Sequence, residues 1–412
     1  MSSAASAVAA RLAQLAAIGR RASGIRRLAA TPEEFAARAL FARWSTAAGY
    51  SVTQDRIGNV FAARKGTKPG AAAILVGSHL DTVPTGGAYD GAYGVVGGLC
   101  ALELLDALGA TTAHPVEVVA WFGEEGSRFP LGCLGSSVFA DLVSAEAALA
   151  LSDDAGVPVG SALRAEDGGW LPGVAWRTPN KTAAYLELHV EQGPVLERAG
   201  APLGAVTAIA AQRRYQAVVQ GGSGHAGTVP MDQRRDALCA AAEIICALEA
   251  AAKSVGQCVL TVGRIAVEPN ATNVIAGRAE FSVDARSADA QRIDALEEAF
   301  HAASTAAQER RGVRSHIERL EAREAVAMDA ALREGLYRAA ASLGEQPLAV
   351  ASGAGHDAMC LARVAPAAML FVPSIGGLSH VPDERTAEKD LELGVNVLAR
   401  WILEVDRLLR AH

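Results

Sequence analysis

Apolar residues in this chain gather into short unbroken runs, and several of these runs stop at residues that carry chemistry. The run at 74–76 reads as a buried strand. His79 lies just past it, with Asp81 two residues on and Asp90 beyond a Pro/Gly-rich loop. A second run, 116–122, ends in Gly123-Glu124-Glu125-Gly126. A third, 183–188, ends in His189-Val190-Glu191-Gln192-Gly193, and a fourth, 367–372, leads into a glycine-rich loop carrying His380. Helical patterns lie between the runs. Thr31-Pro32-Glu33-Glu34 combines an N-cap, a first-position proline and first-turn acids, and predicts a helix from there to about 48, stopped by Gly49. A helix rich in small residues is expected over 94–108, and Asp55-Arg56-Ile57-Gly58-Asn59 reads as a hairpin turn between two short strands. Strands alternating with helices predict an α/β fold with a mostly parallel sheet. In such sheets ligands collect beyond the carboxyl ends of the strands.

The stretch 212–318 has a different rhythm. Strands are expected at 214–220, 257–267, 278–285 and 313–317, with helices at 232–252 and 288–310. This β-α-β-β-α-β order predicts an α+β unit with helices on one face of an antiparallel sheet. It reads as an insertion in a catalytic domain made of 1–211 and 319–412.

Composition narrows the classes. At 412 residues the chain exceeds one ordinary core. A net charge of −7 offers no electrostatic basis for nucleic acid or an anionic membrane as partner. No apolar run approaches the ~18 residues needed to span a bilayer. The six cysteines, Cys100, Cys133, Cys239, Cys246, Cys258 and Cys360, form no CxxC pair. Most sit in apolar segments, so buried free thiols and a cytoplasmic setting are expected. Arg11, Arg20, Arg21, Arg26 and Arg27 precede the first acid, Glu33, a composition shared with mitochondrial-type presequences. The alternative is an amphipathic first helix packed on the domain, and that is the reading preferred here.

The strand ends together hold His79, Asp90, Glu124, Glu125, His189 and His380. Taken singly, each has an ordinary explanation as a turn or a hydrogen-bonded structural residue. Together they point to a site. Imidazoles and carboxylates without cysteine suit zinc, manganese or cobalt as catalytic ions. Five ligands exceed one open ion, whereas a carboxylate bridging two ions about 3.5–4 Å apart fits the number. Of the adjacent Glu124 and Glu125, one can ligate while the other serves as general base. Asp81 is close enough to hydrogen-bond the free nitrogen of His79. His114, His301, His316 and His412 lack such a setting and are expected at the surface.

The segments GSHLDTVPTGGAYDG, WFGEEGSRFPLGCLGS, ELHVEQGPVLE, GHAGTVPMDQRRDA, SGAGHDAM and FVPSIGGLSHVPDE resemble the hydantoinase/carbamoylase amidases. That family comprises N-carbamoyl-L-amino-acid hydrolases, β-ureidopropionases and allantoate amidohydrolases. The resemblance runs from about Gly24 to the final helix. It implies two divalent ions per subunit, Zn²⁺ or Mn²⁺, with Co²⁺ or Ni²⁺ also admissible. Asp90 would bridge them, His79 and His189 completing one site and Glu125 and His380 the other. Glu124 would be the base, with Asp81 supporting the catalytic group. His225 matches the family's transition-state histidine, and Asn273 and Arg286 match residues that hold the substrate carboxylate. Gln192 and Arg213 match further substrate contacts. The family further implies that the inserted domain is a lid and the contact of a homodimer, with His225 serving the neighbouring subunit.

The expected activity is hydrolysis of a linear ureido group on a small carboxylate, releasing ammonia and carbon dioxide. The extra arginine in Ala211-Gln212-Arg213-Arg214-Tyr215 tilts the substrate toward allantoate over an N-carbamoyl-L-amino acid. A dipeptidase or aminoacylase using the same ions is the alternative enzyme. A non-catalytic scaffold is disfavoured by the complete ligand set.

Overall fold

The computed structural model describes residues 2–164 and 177–411, so His412 lies outside the described residues. The chain divides into two compact units. One comprises Met1–Thr207, Ala327–Val350 and Ala354–His412; the other comprises Ala208–Val326 and Ala351–Gly353.

The larger unit is built on a nine-stranded sheet. Its central strands stand in the order Ala367–Val372, Thr182–Val190, Ala73–His79, Val116–Trp121, each parallel to the next. Their side chains are buried almost throughout, which is why they read as unbroken apolar runs. Beyond Val116–Trp121 the sheet turns antiparallel, through Val60–Arg64 and Ser51–Gln54. On the other flank Gly204–Ile209 is antiparallel to Ala367–Val372. The sheet is therefore mixed, and Ser51–Gln54 and Val60–Arg64 are antiparallel because a tight hairpin can join only antiparallel strands. The expected hairpin turn is built by Asp55, whose carboxylate accepts from the amides of Ile57 (3.1 Å) and Asn59 (2.8 Å). Burial lifts its pKa to about 6 against those hydrogen bonds.

The helix expected after Thr31 starts where predicted, and the one expected over 94–108 runs Ala92–Ala107. The Pro32–Ala47 helix is capped by the Thr31 hydroxyl, which accepts from the Glu34 amide at 3.4 Å. The first helix, Ser2–Ala17, buries Val8, Leu12 and Leu15, as an amphipathic helix packed on the domain should. Arg11 pairs with Glu103 through two bonds of 2.6 and 2.8 Å. Arg27 is itself buried and donates to the carbonyls of Leu80 and Leu15. Among the described residues no helix is long and apolar enough to cross a membrane.

Two surface expectations are corrected. His114 is buried, while His301 and His316 are exposed. Asp406, in the final helix Glu388–Arg410, lies 2.9 Å from the His114 ring and accepts from the amides of Ala113 and His114. Among the six free cysteines, Cys100, Cys133 and Cys360 are buried as expected, but Cys239 and Cys246 are exposed and Cys258 is half-buried. The two exposed thiols lie on the outer side of a helix whose opposite side is packed, a distinction apolar composition does not carry.

Burial works against the Asp406 charge, but hydrogen bonds from His114 and Ala113, with Arg410 nearby, hold its pKa below the usual carboxylate range. An Asp406→Asn protein is expected to lose about 1.5–3 kcal/mol of stability at neutral pH, the usual worth of hydrogen bonds to a buried charged group. Because the folded pKa is depressed, this contribution is present above pH ~4 and disappears as pH falls through the folded value. Urea unfolding at pH 7 and pH 3 should show the deficit at the first pH and a smaller one at the second.

The second unit is an antiparallel sheet in the order Cys258–Thr261, Arg278–Ser287, Ala211–Gln220, Arg314–Arg323. The helices Ala237–Val255 and Ala290–Arg311 cover one face, where Tyr215, Ala217, Val219, Phe281, Val283 and Phe300 form a core. Alternate residues of Arg278–Ser287 are buried, the period-two pattern of a sheet covered on one side. Three boundaries differ from expectation. The first helix starts at Ala237, where the Asp236 carboxylate caps the Cys239 amide, after a short 3-10 turn at Met231–Gln233. The strand expected over 257–267 is two strands, Cys258–Thr261 and Ile265–Glu268, separated around Gly263, where a residue without a side chain weakens the ladder. The last strand runs on to Arg323 because Ala211–Gln220 continues to supply partners.

Candidate active site

The four parallel strands deliver their carboxyl ends side by side. His79 is the last residue of Ala73–His79, and His189 is the penultimate residue of the neighbouring Thr182–Val190. Glu124 and Glu125 follow Val116–Trp121, and His380 follows Ala367–Val372. Asp90 precedes the Ala92–Ala107 helix, at the end of the loop from His79.

Asp90 occupies the centre. Its Oδ1 is 3.3 Å from His189 Nε2 and 3.7 Å from His79 Nε2, while its Oδ2 is 3.0 Å from His380 Nε2. His380 Nε2 is in turn 3.6 Å from Glu125 Oε2. Two donor clusters result, His79–Asp90–His189 and Asp90–Glu125–His380, each compact enough to hold an ion. The two oxygens of one carboxylate face different clusters, as a bridging ligand requires.

The rings are oriented for ligation. His79 Nδ1 lies 3.1 Å from the Asp81 carbonyl and His189 Nδ1 lies 2.8 Å from the Val190 carbonyl. Donation from Nδ1 directs each Nε2 at the site. There Nε2 offers a lone pair, which on His189 also accepts from the Gly91 amide at 3.2 Å. Burial disfavours a charged His189, yet Asp90 raises its pKa to about 9. Asp90 is held well below the usual carboxylate range by His189 and His380, although burial opposes this. Gly91 adopts φ +63°, and a Cβ there would run into the His79 ring, so glycine is required next to Asp90.

Glu124 points into the same space, with Oε2 3.6 Å from His79 Nε2 and Oε1 accepting from the Cys133 thiol at 3.3 Å. Burial, then the charges of Asp357, Glu125, Asp81 and Asp90, push its pKa well above the usual value. A carboxylate with raised proton affinity is what a general base needs. Asp81 meets the free nitrogen of His79 with its backbone carbonyl rather than by a carboxylate hydrogen bond. Its Oδ1 lies 3.5 Å from His79 Nδ1, and its two oxygens accept from the Glu124 and Glu125 amides at 3.2 Å each. Asp81 therefore orients the His79 ring through its carbonyl and holds the Glu124 and Glu125 backbone through its carboxylate.

Several contributors lay outside the expected set. His356, within SGAGHDAM, is buried edge-on against His189 at 4.6 Å between ring centres. Glu187, fully buried in the Thr182–Val190 strand, accepts from Ser78 Oγ (2.8 Å) and the Ala358 amide (2.9 Å). Asp357 is buried beside them and accepts from Ser136. An acid inside an otherwise apolar strand was the available signal for Glu187. Gln192, expected among substrate contacts, donates to Asp90 Oδ2 at 2.8 Å from a left-handed backbone (φ +60°).

The expected residues of the second unit separate into groups. His225 is exposed on the short Gly224–His225 strand, its Nδ1 accepting from the Gly227 amide at 3.0 Å. Asn273 is close by, since its carbonyl accepts from the Ala226 amide and His225 pairs with Val274. Arg286 is paired in register with Gln212, and Arg213 with Ala285. Directly paired residues share a face, so Arg286 and Arg213 lie on opposite faces of the sheet. Arg213 is on the helix-covered face, bonded to Glu324 Oε1 and the Arg323 carbonyl. Arg286 is on the other face, where Asp284 binds it through Nε (2.8 Å) and Nη2 (3.1 Å) and also accepts from Gln212 and Arg214.

This fold and donor set define a metallohydrolase of the aminoacylase/carboxypeptidase kind. Residues 75–404 match Peptidase family M20/M25/M40, and the chain belongs to that family, among its hydantoinase/carbamoylase amidases. It is 39% identical over 398 residues to an N-carbamoyl-L-amino acid amidohydrolase of Geobacillus stearothermophilus, spanning 96% of this chain and 97% of that protein. It is 38% identical over 379 residues to an allantoate amidohydrolase of Bacillus subtilis (strain 168), spanning 91% of each. A crystal structure of a hydantoinase/carbamoylase family amidase from Burkholderia multivorans matches with a TM-score of 0.91 and 37% identity, over 97% of both chains. The family uses divalent metal ions, and the donor clusters around Asp90 have the chemistry to hold them.

Proposed function

We propose that this protein hydrolyses a linear ureido C–N bond of a small carboxylate substrate, either allantoate or an N-carbamoyl-L-amino acid. One observation carries the reading: the oxygens of Asp90 face two separate donor clusters, with Glu124 beside one of them. The named activities of the relatives supply the substrate class. His79, Asp90 and His189 would hold one divalent ion, and Asp90, Glu125 and His380 the other. Zinc or manganese is preferred, with cobalt or nickel as substitutes. Bound there, the ions polarise the ureido carbonyl and make water a nucleophile at neutral pH.

The chain's own residues do the rest. Glu124 takes a proton from the attacking water and returns it to the leaving nitrogen. Asp81 keeps Glu124 and Glu125 aimed through their amides. His225 donates to the oxyanion that forms at the attacked carbon. Arg286 and Asn273 hold the substrate carboxylate, a guanidinium matching its geometry through paired hydrogen bonds. Gln192 completes the substrate contacts, whereas Arg213, on the opposite face from Arg286, braces the sheet through Glu324 and the Arg323 carbonyl. Ammonia, carbon dioxide and the freed amine compound leave. The inserted unit acts as lid and homodimer contact, so that His225 serves the partner's site, and the enzyme works in the cytoplasm.

The test is turnover of the manganese-loaded protein on allantoate, N-carbamoyl-L-amino acids and N-carbamoyl-β-alanine, beside dipeptides and N-acetyl amino acids. Ureido hydrolysis is expected, with allantoate slightly favoured because Arg214 shares a face with Arg286. Turnover confined to the dipeptides or N-acetyl compounds would refute it.

A further inference from the structure

Glu384 stands in the loop that carries His380 and is only 3% exposed, yet none of the roles above uses it. Its Oε2 accepts from the backbone amides of Tyr89 at 2.8 Å and Asp90 at 3.1 Å. Its Oε1 accepts from the Ser379 hydroxyl at 2.8 Å, and that hydroxyl lies 3.1 Å from Asp90 Oδ2. A single carboxylate therefore ties the backbone of the bridging ligand to the loop of another ligand, 294 positions away. Gly87 faces it, and a Cβ at that position would run into the Glu384 side chain. The pocket for this carboxylate is built from both loops.

The two donor clusters depend on it unequally. The rings of His79 and His189 are 3% and 1% exposed and are set by backbone carbonyls within two residues of each. The His380 side chain is 50% exposed on a left-handed backbone of φ +59°, so its aim depends on how its loop is held. Removing Glu384 would leave the Tyr89 and Asp90 amides without their acceptor and the Ser379 hydroxyl, next to His380, with Asp90 alone.

We infer that Glu384 is a positioning residue that sets the affinity of the ion held by Asp90, Glu125 and His380, an inference resting on the two-ion reading above. Residues that orient metal ligands typically change affinity by ~10–100-fold when lost.

The experiment titrates Mn²⁺ calorimetrically into the metal-free wild type and the Glu384→Ala, Glu384→Gln and Gly87→Ala proteins. His380→Ala identifies which binding step belongs to the second cluster. Glu384→Ala and Gly87→Ala are each expected to weaken that step by ~10–100-fold and the other step much less. Glu384→Gln, which keeps an acceptor for both amides, should restore most of the loss. Thermal unfolding of the metal-free proteins separates a folding defect from a ligand defect, and Gly87→Ala carries the test if Glu384→Ala does not fold. Unchanged binding, equal weakening of both steps, or a Glu384→Gln protein as weak as Glu384→Ala would overturn the inference. A wild type that binds fewer than two ions would overturn the two-ion reading and this inference with it.

Discussion

Glu124→Gln is expected to keep both ions and to lower kcat by ~10²–10⁴-fold, the usual contribution of a positioned general base. The substitution preserves shape and removes the ability to take a proton. Glu124 is assigned to neither donor cluster, so metal content should not change. The local frame should also survive, because Asp81 grips the Glu124 amide rather than its side chain. KM should move little, since the carboxyl group acts on water and the leaving nitrogen. Metal analysis together with steady-state kinetics on a ureido substrate reads both quantities. A variant holding two ions with kcat within tenfold of wild type would remove Glu124 as the base.

Asp90→Asn should be more severe in metal binding. The amide keeps the volume of the carboxylate but loses the charge and one of two oxygen donors, and only one cluster can still be served. The amide nitrogen would also face either the histidines at Oδ1 or the donors Gln192 and Ser379 at Oδ2. At most one ion per chain is expected, with kcat down by ~10³-fold or more, since a catalytic ion is worth several kcal/mol of charge stabilisation. Elemental analysis after dialysis against excess metal gives the stoichiometry. Recovery of two ions would show that Asp90 is not the bridge.

These effects concern residues that could be picked out from the chain alone, and the reason is specific. Buried parallel strands have no polar side to show, so they appear as apolar runs, and His79, Glu124, Glu125, His189 and His380 stand out where the runs stop. The second unit was legible for a related reason: alternation in Arg278–Ser287 marks a sheet with one covered face. Its boundaries were less so, because the Gly263 break and the extension to Arg323 depend on what the neighbouring strand offers.

The rest needed partners far apart in sequence. The burial of His114 depends on Asp406, 292 positions away, and Glu384 acquires a role only by reaching Asp90. Cys133 looked like another apolar thiol until its contact with Glu124 was seen. Arg213 and Arg286 were both expected among the substrate contacts, but strand register puts them on opposite faces. The sequence by itself determined the family, the α/β class and the identity of the candidate ligands, because local pattern and strand ends carry that information. Only the tertiary structure decided which oxygen of Asp90 faces which cluster, which buried groups aim them, and which arginine lies on the open face. Those are matters of register and long-range packing, and no local pattern encodes them.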